Sequence, residues 1–225
     1  MGFLSIDQIS LNSVIFDFDG TLAKLNIDFH LMRQEIVELI NVWDVCLKNP
    51  NRSFVLEMIH EAEVHLRLQS ISDAQSFHAE AFRTIEKIEV QAALNGELFE
   101  WTRELLSALS ESGIHTGIIT RNCAKAVYTV FPDVSRYCGV ILAREHVVQV
   151  KPHPDHLNAA LRLLQSPPCH TLMVGDHPLD VETGLAAGTW SAGVLTGHHS
   201  RNDFEQAGAH WVLDHAFDLL SMIRH

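Results

Sequence analysis

The sequence predicts an α/β fold: a doubly wound, mostly parallel sheet interrupted by an inserted block of helices. Three observations carry this. From Glu97 onward, short apolar runs alternate with helical stretches, the pattern of a parallel sheet with helices on both faces. Residues 29 to 94 show helical periodicity and no convincing strand. Four short polar motifs sit directly after four apolar runs, where an open parallel sheet places its ligands.

The elements follow in order. Val14-Ile15 is a short run of strand type, and Phe16-Asp17-Phe18-Asp19-Gly20-Thr21-Leu22 follows where it ends. Phe29, Met32, Ile36, Ile40, Trp43 and Leu47 then recur at helical spacing. Val55, Ile59, Ala62 and Leu66 mark a second helix; Ala74, Phe77, Ala81, Ile85, Ile88 and Ala92 mark a third. Asn49-Pro50-Asn51 and the stretch from Ser70 to Asp73 separate them, and Asn95-Gly96 is a helix stop. The expected division is 1-23 with 96-225 as the α/β core and 24-95 as the helical insertion, with hinges near Leu22 to Leu25 and Asn95 to Glu97. Such an insertion is too long for a simple loop.

In the second part, Leu98, Trp101, Leu105 and Leu109 mark a helix ended by Gly113. Ile114 to Ile119 reads as a strand, and Cys123 to Phe131 as a helix closed by Pro132. Val140 to Leu142 and Val147 to Val150 read as short strands, and Pro154 to Leu164 as a helix. Thr171 to Val174 is a strand, and Leu179 to Ala187 a helix capped by Gly188. Ala192 to Leu195 and Trp211 to Leu213 are further strands, and Asp214 to Ile223 a closing helix.

Composition bounds the partners. The formal net charge of -12 argues against a nucleic-acid partner, because phosphate backbones require a basic surface. An anionic substrate would need local cations. The 15 histidines form no zinc-type cluster. Cys46, Cys123, Cys138 and Cys169 form no CxxC pair, which fits a reduced cytoplasmic compartment. No secretory signal pattern is present, and no apolar run approaches membrane-spanning length. The sequence carries no signal for an oligomeric state.

The chemistry-bearing residues begin with Asp17 and Asp19. In a continuous strand, residues two apart share a face, and Gly20 allows a tight turn just after them. Two such carboxylates repel unless a cation or proton lies between them. The economical explanation is a Mg²⁺ site beside a carboxylate nucleophile; the plainer alternative is an acidic β-turn. Three further motifs follow predicted strands: Thr120-Arg121-Asn122, Lys151-Pro152 and Gly175-Asp176-His177-Pro178-Leu179-Asp180. All four would meet on one rim of the sheet.

On these four motifs, the chain resembles a haloacid dehalogenase superfamily hydrolase of the phosphoglycolate phosphatase-like branch, with a helical cap inserted after the first motif. The resemblance implies a Mg²⁺-dependent phosphatase acting on a small phosphorylated metabolite through an aspartyl-phosphate. It implies Asp17 as nucleophile and Asp19 as general acid and base, with the main-chain carbonyl of Asp19 a metal ligand. Gly20, Thr21, Thr120, Arg121 and Lys151 would bind phosphate, and Asp176 would join Asp17 and Asp19 at the metal. Asp180 would bind metal through water, hold Lys151, or compensate charge at a helix N-terminus. Mg²⁺ suits an all-oxygen site.

Other residues depart from the family pattern. Arg121 would contact a substrate anion or pair with an acid on the rim. His177 would donate to substrate or cap a helix, the second being favoured. Asn122 reads as the N-cap of the following helix. Lys24 faces the hinge, within reach of a substrate. Arg33, Arg67 and His78 are polar candidates in the insertion, with surface placement the stronger expectation. The alternatives are a sugar-phosphate mutase using the same intermediate, a dehalogenase, which has no need of Asp19, and a non-catalytic anion-binding module on the same fold.

Overall fold

A computed structural model of the protein describes residues 4–6, 9–48 and 54–222. The chain forms two compact units, Met1–Leu25 with Gly96–His225, and Asn26–Asn95. Lys24 and Leu25 fall in the first of these units. The separator expected at Asn49-Pro50-Asn51, and Ile223, lie outside the described residues.

The first unit opens with an antiparallel pair, β1 (Leu4–Ile6) and β2 (Ile9–Leu11). β3 (Ser13–Phe16) follows, buried along its whole length as expected of a strand covered on both faces. β4 (Ala23–Lys24) pairs antiparallel with β5 (Glu97–Leu98), the segment by which the chain returns. Lys24 stands opposite Glu97 in that ribbon. The pairing claims Leu98, so the helix expected from Leu98 begins later, as α4 (Thr102–Glu111).

Between these strands lie α1 (Phe29–Val42), α2 (Val55–Arg67) and α3 (Ile71–Ala93). Asp28 caps α1, its carboxylate accepting from Leu31 N, and Ser70 caps α3 by accepting from Asp73 N. Ser70 thus starts the third helix as well as separating it from the second. α1 stops before Trp43 and Leu47, because Asp44 adopts the left-handed region at φ 53°, which a short polar side chain tolerates. Met32, Ile36, Ile40, Met58, Phe77 and Ile85 share one buried cluster, whereas Phe29 is 61% exposed at the start of α1.

The remaining elements are β6 (His115–Ile119), α5 (Ala124–Val130), β7 (Val140–Leu142), α6 (Pro154–Leu164), β8 (Thr171–Gly175), α7 (Pro178–Ala187), β9 (Trp190–Val194), α8 (Arg201–Ala207), β10 (Trp211–Leu213) and α9 (Leu219–Met222). Local chemistry explains several boundaries. α6 and α7 each begin with proline, whose fixed φ suits the first turn. Gly188 closes α7 at φ 74°. The closing helix is shorter than expected: Asp218 accepts from the Asp214 and His215 amides and draws residues 216–218 into a 3-10 turn first.

Six strands form one parallel sheet in the order β10-β9-β8-β3-β6-β7. α6 packs on β6 and β7, and α7 on β8 and β9. Ile15, Ile119, Leu142, Leu157, Leu161 and Met173 form a shared core between the sheet and α6. The strand order reverses at β3, so the ends of β3 and β8 flank the switch point where such sheets bind ligands.

Within the helical unit, Phe77 is fully buried in the three-helix cluster. Phe77→Ala is expected to cost about 3–5 kcal/mol of stability, read as a lowered urea midpoint with an unchanged slope.

Candidate active site

Register brings the motifs together. Phe16 of β3 pairs with Val174 of β8 and with Ile118 of β6. Asp17 is therefore level with Gly175 and Ile119, and Asp176 and Thr120 each stand one residue further on. The Asp17 amide continues the ladder by donating to Val174 O at 2.8 Å.

Lys151 enters this rim by another route. The strand expected at Val147 to Val150 does not form; Lys151 lies in a turn, and Val148 is 97% exposed. Among the described residues these valines pair with no strand, and the outer side of the edge strand β7 stays unextended. The Lys151 side chain is nevertheless buried. Its ammonium lies 2.8 Å from Asp17 Oδ1 and 2.6 Å from Asp180 Oδ1. Burial alone would lower the ammonium's pKa; Asp17 and Asp180 outweigh it and the net direction is up, so Lys151 stays charged.

Asp176 completes a cluster in which carboxylate oxygens of Asp17, Asp176 and Asp180 lie within 4.8 Å of one another. Glycines make room for it. A Cβ on Gly20 or on Gly197 would fall 2.1 Å or 2.0 Å from Asp176 Oδ2, and one on Gly175 would fall 2.0 Å from Asp180 Oδ2. Gly20 also holds φ at 78°, a conformation glycine adopts without strain. Thr196 ties the Gly197 loop to the first motif, its hydroxyl donating to the Gly20 carbonyl. Sequence reasoning missed Gly197 and Thr196. Their only local signal is a Thr-Gly pair just past the end of β9.

Asp19 is placed differently from expectation. β3 ends at Phe16, and the Phe18 carbonyl accepts from the Thr21, Leu22 and Ala23 amides, so Asp17 stands at the strand's end while Asp19 lies on the turn that follows. Asp19 Oδ1 accepts from Leu25 N at 2.8 Å, and its carboxylate is outside the close cluster. Asp180, expected behind the metal ligands, lies inside that cluster. Thr21 is fully buried and donates to Asp176 Oδ1 at 3.4 Å. Its hydroxyl therefore faces the acid rather than open space for a phosphate.

Thr120 Oγ1 accepts from Asn122 N at 3.1 Å, an interaction that leaves the hydroxyl proton available to donate. Cys123, not Asn122, caps α5; Asn122 Oδ1 accepts from Cys123 N one residue early, leaving the buried Nδ2 with no protein partner among the described residues. Arg121 donates to the Lys151 main-chain carbonyl, a contact additional to the roles expected of it. His177 caps α7, its Nδ1 accepting from Leu179 N, while Asp180 Oδ2 accepts from His177 N. Burial first and the His199 charge second hold the His177 pKa down at about 4. In the helical unit, Arg67 and His78 both contact Glu63, at 2.5 Å and 2.9 Å, with mostly exposed side chains.

Three carboxylates against one lysine leave the ionised cluster with two negative charges. Burial first, then Asp17, Asp180 and Asp19, push Asp176 up to about 8. Burial also raises Asp180, to about 6, although Lys151 opposes it. The cluster therefore calls for a proton or a cation. Its donors are all carboxylate oxygens, which suits a hard divalent ion such as Mg²⁺ and not zinc.

Comparison with known proteins adds the context of the whole chain. The family model for haloacid dehalogenase-like hydrolases matches residues 14–194. The chain is 27% identical over 219 residues to an N-acetylmuramic acid 6-phosphate phosphatase of Pseudomonas putida, covering 95% of this chain and 96% of that one. It is 28% identical over 224 residues to the pyrophosphatase PpaX of Bacillus cereus strain G9842, covering 95% and 96%. A solved haloacid dehalogenase-like hydrolase structure from Bacteroides fragilis superposes with a TM-score of 0.70 at 22% identity, covering 93% of this chain and 99% of that one.

The raised Asp176 pKa has a signed consequence. Without a divalent ion, the folded state retains a proton that the unfolded carboxyl, with its ordinary value of 3.8, releases. Stability present at low pH is then lost as pH rises through about 8. A divalent ion held by the cluster would replace that proton, so a Mg²⁺-induced rise in Tm is expected to be larger near pH 8 than near pH 5. Gly197→Ala, which displaces Asp176, should shrink that rise. A Tm increment independent of pH, or unchanged in the variant, would contradict this reading.

Proposed function

The chain belongs to the haloacid dehalogenase-like hydrolase family, and on that premise we propose that it is a Mg²⁺-dependent phosphatase hydrolysing a small phosphomonoester through an aspartyl-phosphate. The observation that carries this is Asp17, held by Lys151 at 2.8 Å and grouped with Asp176 at the end of the central strand. A carboxylate is a weak nucleophile, and it attacks phosphorus when phosphate charge is neutralised and the approach is in line. Lys151 supplies fixed positive charge and orients Asp17 by one oxygen, which leaves the other to attack.

In the first step, an Asp17 oxygen bonds to phosphorus as the ester P–O bond breaks. Asp19 protonates the departing oxygen. In the second, water attacks the phosphorus of the aspartyl-phosphate, Asp19 takes its proton, and free phosphate and the Asp17 carboxylate result. The Thr120 hydroxyl donates to a phosphoryl oxygen during both steps. Asp180 holds Lys151, while Gly20 and Thr21 serve Asp176 by giving it space and a hydrogen bond. Asp17, Asp176 and the Asp19 main-chain carbonyl would hold Mg²⁺. When bound, it would supply charge neutralisation for the phosphoryl group.

The P. putida relative named as a phosphatase of a sugar phosphate supports a small phosphorylated metabolite as substrate. We read the helical unit Asn26–Asn95 as the cap that sets substrate choice. Among the described residues no helix is long and apolar enough to cross a membrane. All four cysteines are free thiols, in keeping with a cytoplasmic site of action.

With p-nitrophenyl phosphate and Mg²⁺, the protein is expected to release phosphate. Asp17→Asn should abolish turnover with an unchanged circular dichroism spectrum. Asp19→Asn should lower kcat by about 10²–10⁴-fold. Wild-type rates in the folded Asp17 variant would remove the mechanism.

A further inference from the structure

Lys151 must deliver one ammonium to two carboxylates from a segment with no strand to hold it. A lysine at a strand end has its main chain fixed by ladder hydrogen bonds. Here the ladder is absent, yet both main-chain polar groups of Lys151 are engaged by side chains. Its N–H donates to His156 Nδ1 at 3.3 Å, and its carbonyl accepts from the Arg121 guanidinium. We infer that His156 and Arg121 are positioning residues that set the Lys151 ammonium by holding its main chain.

The wiring leads back to the sheet. His156 lies on α6 and is fully buried. Its Nε2 lies 3.0 Å from Leu142 O at the end of β7. A main-chain N–H only donates and a carbonyl only accepts, so Nδ1 is bare and Nε2 carries the proton. The ring is one neutral tautomer bridging two backbone groups. Burial first and the Lys151 charge second, holding its pKa down at about 4, keep it so. Leu142 O also accepts from Thr120 N at 3.0 Å, so one carbonyl ties both Thr120 and, through His156, Lys151. Arg121 follows Thr120 directly, and its own carbonyl accepts from Arg144 at 3.3 Å. Lys151 is thus referred to the ends of both β6 and β7, although it belongs to neither.

The two functions of the imidazole separate chemically. An Asn at 156 places its Oδ1 near the position of Nδ1 and keeps the acceptor for Lys151 N–H. A Gln reaches toward the Nε2 position and keeps the donor to Leu142 O. A merely structural histidine would show no preference between them in the site.

The inference rests on the phosphatase reading only for its kinetic consequence, so the test has two readouts. Crystal structures of the wild type, His156→Asn, His156→Gln and Arg121→Gln report the Lys151 Nζ to Asp17 Oδ1 distance. Kinetics with p-nitrophenyl phosphate and Mg²⁺ report kcat and KM. His156→Asn is expected to keep the 2.8 Å contact. It should retain kcat within about threefold, whereas His156→Gln and Arg121→Gln move Nζ out of hydrogen-bond reach and lower kcat about 10²-fold, with KM changing less. Nζ remaining on Asp17 in the Gln variants overturns the inference, as does equal loss of kcat in both His156 variants. If His156→Gln fails to fold, Arg121→Gln carries the test by itself, and Nζ remaining on Asp17 in that variant overturns the inference. A displaced Nζ alongside a wild type that releases no phosphate would sink the phosphatase reading and leave the positioning intact. An active wild type with an unmoved Nζ would do the reverse.

Discussion

The site depends on a buried ammonium held between two carboxylates. Removing Lys151 from water is expensive, and Asp17 and Asp180 repay that only at hydrogen-bond distance, which both keep. Deleting one member of such a group leaves the others buried without a partner, which is strongly destabilising. Yet the pairing is unbalanced. Asp176 adds a third carboxylate within 4.8 Å, and the remaining negative charge makes the rim a place for a divalent cation.

The fold supplies the precision this requires. Parallel strands in register put Asp17, Thr120 and Asp176 at neighbouring heights without any side chain having to search for the others. Glycines at 20, 175 and 197 then let backbone approach the carboxylates closely enough to leave no slack. Where the ladder stops, before Lys151, hydrogen bonds from side chains take over its task. The same residues that shape the turn therefore bear on the chemistry.

Elements whose ends are punctuated were legible. α6 and α7 start at proline, α7 stops at glycine, and β3, β6 and β8 are dense apolar runs. The failures have physical causes. Val147 to Val150 has strand composition, but a strand is a pairing, and among the described residues none pairs with it. β4 and β5 are two residues each, with 72 positions between Lys24 and Glu97, so nothing local announces their pairing. α8 was marked by the capping pattern Ser200-x-x-Asp203 and a closing Gly208, signals that a search for apolar periodicity passes over because the helix is so short.

The sequence by itself determined which chemical groups the four motifs carry: carboxylates at 17, 19, 176 and 180, a hydroxyl at 120 and an ammonium at 151. Strand and helix periodicity, with proline and glycine as stops, is enough for that, because each depends on near neighbours along the chain. Only the tertiary structure decided their company. It turned Asp19 toward Leu25, drew Asp180 into the cluster, aimed Thr21 at Asp176, and brought the loop after β9 against the turn after β3. Those outcomes rest on hydrogen bonds and exclusions between residues up to 176 positions apart, which are settled by packing and leave no periodic trace.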